Sequence, residues 1–139
     1  MRMEIFQTIP KQAMEIRKTV FVDEQGFQNE FDDIDFIAVH FVLFDDLDMP
    51  IATCRVFKEP KNNAYILGRL AVLKESRGKN IGSLIVKKVE EYVKEMGGEQ
   101  IQLHAQCIVV AFYKKLGFSS FGEMEDEEGC SHIWMRKTL

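Results

Sequence analysis

At 139 residues, with 46% hydrophobic and 29% charged residues, the chain has the size and balance of one globular domain over 1–139 that buries a real core. A formal net charge of −4 argues against nonspecific nucleic-acid binding, which needs a basic surface. The three cysteines, Cys54, Cys107 and Cys130, are odd in number and lack C-x-x-C spacing, so neither a disulfide framework nor a metal site is expected, and a reducing cytoplasm is the expected compartment. The N-terminal residues include Arg2, Glu4, Lys11, Glu15, Arg17 and Lys18 with no long apolar run, which fits neither a signal peptide nor a membrane span.

Met3 to Thr8 reads as a short first strand. Pro10 suits a helix N-terminus, with Thr8 as a cap. Ala13, Met14, Ile16, Arg17, Val20 and Phe21 follow helical spacing, and Gly26 ends that helix. The polar, acidic stretch from Asp23 to Asp35 reads as a long loop or a broken helical turn, of the kind that serves as a lid or binding wall. Phe36 to Phe44 is almost continuously apolar, as a strand covered on both faces is. The turn Asp45–Pro50 leads to a second hairpin strand, Ile51 to Phe57, and a turn at Pro60–Asn63 leads to a third, Ala64 to Leu73. Gly68 inside that strand signals a bulge or a close backbone approach.

The stretch from Gly68 to Ser83 then reads as a buried strand, a polar turn and a tight loop feeding a helix. Backbone N–H groups at a helix start have no partner inside the helix, and the dipole adds positive potential there. Arg77, Gly78, Lys79, Asn80, Ile81, Gly82 and Ser83 therefore suit a phosphate or pyrophosphate. Ile81, Leu84, Ile85, Val89, Tyr92, Val93 and Met96 form the apolar face of the helix, which Gly97-Gly98 ends. Ile101 to Ala105 is a further strand and Val109 to Leu116 a short helix stopped by Gly117. Phe118 to Phe121 and His132 to Lys137 make a closing hairpin around an acidic turn at Glu125–Gly129. The order predicts an α/β (α+β) fold with a mixed sheet and helices on both faces.

Three motifs now stand in order. Arg77-Gly-Lys-Asn-Ile-Gly82 follows Leu70-Ala71-Val72, and Tyr113-Lys-Lys-Leu-Gly117-Phe118 lies downstream. Together they resemble the GNAT family of acyl-CoA-dependent N-acetyltransferases over nearly the whole chain. Val20–Gly26 and Gly129–Met135 resemble a small bacterial-type branch of it whose substrates are unassigned. Asn80 stands where the family usually has Gly, and Asn tolerates left-handed backbone geometry. Gln106 stands where it often has Asn.

The resemblance implies the three-layer, mostly antiparallel GNAT sheet and direct transfer of an acetyl group from acetyl-CoA to an amine. It implies that the loop from Arg77 to Ser83 holds the pyrophosphate, and that Leu70, Ala71 and Val72 pair through their backbone with the pantetheine arm. It assigns Gln106 to cofactor contact, a backbone N–H near Leu70 to the thioester oxygen, and Tyr113 to protonation of the leaving thiolate. Lys79, Lys114 and Lys115 are further candidates to meet cofactor phosphates. An alkyl amine is mostly protonated at neutral pH, so a base is also needed. The candidates are Glu24, Asp35, His104 and His132, with Glu24 and His104 in the catalytic set. Cys107 reads as a buried thiol, and the clusters Asp32-Asp33-Asp35, Asp45-Asp46-Asp48 and Glu123 to Glu128 as solvated turns whose field favours a cationic acceptor. The expected acceptor is a small-molecule amine, with a homodimer compatible. The rival readings are a peptide or protein N-acetyltransferase and a noncatalytic CoA-binding sensor module.

Overall fold

The computed structural model describes residues Met1–Leu139. Seven strands, β1 (Arg2–Phe6), β2 (Val39–Phe44), β3 (Pro50–Lys58), β4 (Ala64–Val72), β5 (Gln100–Gln106), β6 (Ser119–Glu127) and β7 (Cys130–Thr138), form a sheet in the order β1-β2-β3-β4-β5-β7-β6. The helices are α1 (Lys11–Arg17), α2 (Ile81–Glu95) and α3 (Val110–Lys115). Pairing is antiparallel for β1 with β2, β2 with β3, β5 with β7 and β6 with β7, and parallel for β4 with β5. This is the mixed, mostly antiparallel sheet that the sequence implies. No helix is long and apolar enough to cross a membrane. The chain divides into two compact units, Met1–Phe57 with Leu67–Val89, and Lys58–Ile66 with Glu90–Leu139.

In the first unit the opening strand sits at Arg2–Phe6, and α1 is capped by Pro10 in extended geometry with no side-chain cap, so Thr8 does not cap it. The helix continues as a wider π turn over Lys18–Glu24 before Gly26, at φ 80°, ends it. Ile16, Val20, Phe21 and Ala71 form one apolar cluster with Phe27 and Leu73, and Ala13, Val42 and Phe44 another with Phe6 and Ile9. Strand β2 begins only at Val39, and Phe36 and Ile37 are exposed rather than part of it, because a short 3-10 turn over Asp33–Phe36 is capped by the Asp32 carboxylate. The irregularity that Gly68 signalled falls one residue later, where Arg69 takes φ 53°.

That 3-10 turn is held by charge rather than by apolar burial. Arg17 is 1% exposed and donates to Glu30 Oε2 at 2.8 Å and to Asp35 Oδ1 at 2.7 Å. Arg55 donates to Asp32 Oδ1 at 2.6 Å and Asp35 Oδ1 at 2.9 Å, and Arg69 pairs with Glu30 at 2.9 Å and Asp32 at 3.3 Å. Asp32 and Asp35 are therefore not solvated turn residues, which corrects the sequence expectation for that cluster. Burial alone would raise the Asp35 carboxyl, but hydrogen bonds from Arg17, Arg55 and the Asp32 N–H outweigh it and lower the pKa to about 2. Burial dominates at Glu30 and raises its carboxyl despite Arg69 and Arg17. Asp45, in contrast, makes an ordinary exposed turn, accepting from the N–H groups of Leu47 and Met49 at 2.9 Å.

In the second unit β5 pairs with β4 from Ala64↔Gln100 to Ile66↔Gln102 and with β7 from Gln100↔Thr138 to Gln106↔His132. The closing hairpin is longer than expected. Glu125 to Glu127 belong to β6, and the turn shrinks to Glu128-Gly129, both at positive φ (50° and 78°), as a two-residue hairpin turn requires. Helix α2 starts in the first unit, where Ile81, Ile85, Val86 and Val89 are buried, and ends in the second, where Val93 is buried and Met96, beyond the end of the helix, is exposed. Gly97 at φ 81° and the bond from Gly98 N–H to the Val93 carbonyl, 2.8 Å, close the helix as its sequence predicts. Gly117, at φ 96°, likewise stops α3.

Candidate active site

The loop lies in the first unit. Leu70 and Val72 are half-buried and Ala71 is buried at the end of β4. A 3-10 turn, Lys74–Ser76, follows, and Arg77 then starts the loop in extended geometry. Gly78 takes φ 78° and Asn80 takes φ 61°, so two left-handed residues two apart precede the start of α2 at Ile81. The asparagine where the family usually has glycine thus adopts the backbone that glycine would supply. Alternating backbone handedness before a helix start turns N–H groups into a concavity for an anion. Gly78, Lys79 and Asn80 are exposed, Ile81 is buried, and Gly82 and Ser83 are half-buried in the first turn of α2. This donor set suits a phosphate-type anion.

Arg77 ties the loop down. Its Nε donates to the Val72 carbonyl at 2.9 Å, and its guanidinium pairs with Glu24 at 3.0 Å. Glu24, one of the sequence-level base candidates, is therefore brought to the loop as the partner of Arg77. Asp35, another, lies between Arg17 and Arg55 inside the ion cluster. Sequence reading missed Glu30, Arg55 and Arg69 as members of that cluster. A signal existed: Arg17 falls on the same helical face as Ala13 and Val20, and a charged residue on a buried face calls for buried partners.

The other candidates lie in the second unit. Tyr113, 7% exposed, is edge-on to Phe112 at 4.9 Å and to Phe118 at 5.7 Å. Gln106 ends β5 and leads into the 3-10 turn Cys107–Val109 that precedes α3. Lys114 and Lys115 are exposed. Cys107 is only half-buried, against the expectation of a buried thiol, while Cys54 is buried and its thiol pushed well above the usual range.

The two histidines come together. The His104 ring stacks on Trp134 at 4.8 Å and lies 5.0 Å from the His132 ring. Glu125 Oε1 is 3.8 Å from His104 Nε2, and Glu127 Oε2 is 3.6 Å from His104 Nδ1 and 3.7 Å from His132 Nε2. Burial, then the neighbouring His132, lower the pKa of His104 against the pull of Glu127 and Glu125. His104 is thus biased to the neutral form, which is the form that accepts a proton. Trp134, Glu125 and Glu127 were not singled out as partners of His104 from sequence, because cross-strand register decides which residues share a face.

Residues 7–139 match the acetyltransferase (GNAT) domain family. A Bacillus subtilis (strain 168) protein provisionally named an acetyltransferase is 35% identical over 130 residues, covering 90% of this chain and 86% of that protein. The uncharacterized protein YyaT of the same organism is 31% identical, covering 92% and 88%. Among solved structures, a Lactobacillus plantarum protein provisionally named an N-acetyltransferase is 27% identical, with TM-score 0.89 and coverage of 100% and 99%. Escherichia coli ElaA shares the fold at TM-score 0.85 and 23% identity, with 98% of each chain covered. With a phosphate-type loop at Arg77–Ser83, a mixed seven-stranded sheet and relatives of this kind, the chain belongs to the GNAT acetyltransferase family.

Proposed function

We propose that the protein is a single GNAT domain that transfers an acetyl group from acetyl-CoA to the amine of a small molecule. The observation that carries this reading is the loop: Gly78 and Asn80 both left-handed, immediately before a 15-residue helix, and anchored through Arg77 to the last residue of β4. Arg77, Gly78, Lys79, Asn80, Ile81, Gly82 and Ser83 hold the pyrophosphate through backbone N–H groups. Leu70, Ala71 and Val72 hold the pantetheine arm by strand-like pairing, with Gln106 as a further polar contact. When bound, acetyl-CoA supplies an activated acyl group with a thiolate as leaving group.

The chain's own residues do the rest. A backbone N–H near Leu70 donates to the developing oxyanion. Tyr113, a phenol with reference pKa about 10, gives a proton to a thiolate of reference pKa about 8.5. His104 takes the amine's proton, and Glu24 has the anchoring task that its pair with Arg77 defines. Free cysteines throughout suit a cytoplasmic enzyme. The test is thiol release from acetyl-CoA against a panel of polyamines, amino sugars, amino acids and peptides. Turnover with a small amine supports the reading, turnover confined to peptides replaces the acceptor class, and acetyl-CoA binding without turnover makes the protein a sensor.

A further inference from the structure

The base assigned to His104 stands in a wider constellation built by three strands. On β5 and β7, His104 opposes Trp134 and Gln106 opposes His132. On β6 and β7, Phe121 opposes Trp134 and Glu125 opposes His132. Four residues of β6 thus match two of β7, and Gly122, at φ 75°, lies in this irregular stretch. In regular register Glu123 would oppose His132. The two extra residues instead bring Glu125 opposite His132 and Glu127 opposite Cys130, with both carboxylates against the histidines.

The result is one carboxylate oxygen, Glu127 Oε2, serving two imidazoles. The orientation of each ring is set. His132 Nδ1 lies 2.9 Å from the Cys130 carbonyl and donates to it, which leaves Nε2 facing Glu127. His104 is fixed by its stack on Trp134, with Nδ1 towards Glu127 and Nε2 buried, without a hydrogen-bond partner, beneath Glu125. A proton on Nδ1 leaves the Nε2 lone pair as the base. The carboxylates lead outwards: the side chains of Glu125 and Glu127 are 60% and 50% exposed, against 24% for His104 and 8% for His132.

We propose that His104, Glu127 and His132 form a proton relay, with Glu127 as the exit to solvent and His132, within reach of the same Glu127 oxygen, as the residue that positions that carboxylate. This rests on the acetyltransferase reading above. An ammonium held by Glu125 gives its proton to His104 Nε2, the N–H bond on the amine breaking as the imidazole N–H forms. The Nδ1 proton passes to Glu127 Oε2 and from there to water, leaving a neutral ring with its proton on Nε2; loss of that proton to water and uptake of one at Nδ1 return the starting tautomer before the next turnover. Closing 3.6 Å to a hydrogen-bond distance of about 2.8 Å asks a movement of less than ~1 Å from a half-exposed side chain. His104 and His132 are the catalytic base and a positioning residue, respectively. The groups facing His104 are Glu125 and Glu127 from β6 and His132 and Trp134 from β7.

The experiment is the pH profile of kcat/KM for H104Q, E127Q and H132Q, with NMR titration of the His104 ring in the wild type, E127Q and H132Q. Losing the Glu127 charge moves the acid limb and the His104 titration to lower pH. Losing His132 moves both to higher pH. Each shift is about half a pH unit. E127Q also lowers the plateau about tenfold, and added imidazole buffer restores it, while acetyl-CoA affinity by calorimetry stays unchanged. Opposite shifts are not what a merely structural role yields. If H104Q removes the acid limb but E127Q and H132Q leave both readouts in place, the relay is wrong and the base stands. If H104Q keeps the wild-type limb and rate, the base assignment falls. If no variant and no wild-type sample turns over any amine, the NMR shifts alone decide whether the three groups are coupled, and unshifted titrations overturn the proposal.

Discussion

Arg77 Nε donates to the backbone carbonyl of Val72 at 2.9 Å, so the first residue of the glycine loop is bonded to the last residue of β4. The strand that would carry the pantetheine arm and the loop that would carry the pyrophosphate are therefore positioned by one side chain. That bond makes the loop's backbone geometry the first thing to test.

Asn80 occupies φ 61°. Asn80→Gly keeps that geometry and should leave acetyl-CoA affinity within a factor of about two. Asn80→Val puts a β-branched residue in left-handed space at a cost of roughly 1–2 kcal/mol, and should weaken acetyl-CoA binding about tenfold. Calorimetric titration of both variants checks this. Equal affinity for the Val and Gly forms would remove backbone handedness from the binding account.

Tyr113→Phe deletes one hydroxyl from a ring packed edge-on to Phe112 and Phe118. The ring contacts survive, so acetyl-CoA affinity should hold while turnover drops about a hundredfold. Unchanged turnover in the Phe form would exclude Tyr113 as the acid.

Gly98 has no room for a side chain. An added Cβ would lie 2.5 Å from Val93 Cγ1 and 2.7 Å from two Tyr65 ring atoms. Gly98→Ala should cost about 1–3 kcal/mol and lower the melting temperature by several degrees. Gly97, next to it, faces open space, but its φ of 81° makes Gly97→Ala costly through the backbone instead, by about 1 kcal/mol, a cost that Gly97→Asn largely avoids. Thermal melts of the three variants separate the steric cause from the conformational one.

The ion cluster predicts an acid-sensitive fold. Asp35 has a folded pKa of about 2 against an ordinary 3.8, so its contribution is fully present above the ordinary value and is lost as pH falls from roughly 5 towards 2. The shift corresponds to about 2 kcal/mol. Asp32, also lowered, adds in the same sense, whereas Glu30, raised by burial, opposes it and favours the folded state at low pH. Denaturant unfolding at pH 7 and pH 3 should show the loss, and Asp35→Asn should flatten the dependence. Arg17→Met removes one of the two guanidinium partners of both Glu30 and Asp35, leaving Arg69 and Arg55, and should destabilise by about 3 kcal/mol at neutral pH.

Much of this protein is legible in its sequence, because much of its information is local. The apolar stripe of α2, the glycine stops at Gly97 and Gly117 and the loop at Arg77–Gly82 each depend on neighbours a few residues apart. Local chemistry also anticipated that Asn80 could stand in for glycine, since tolerance of left-handed φ belongs to the residue itself. Tertiary structure alone decided the rest, because the partners are distant in the chain. Asp35 looked like an exposed turn carboxylate until Arg17 and Arg55, 18 and 20 residues away, closed on it. Glu127 looked like part of an acidic turn until the two extra residues of β6 carried it to His104 and His132. Side-chain spacing along a strand is set by the strand, but what lies across from it is set by register, and register is a property of the assembled sheet.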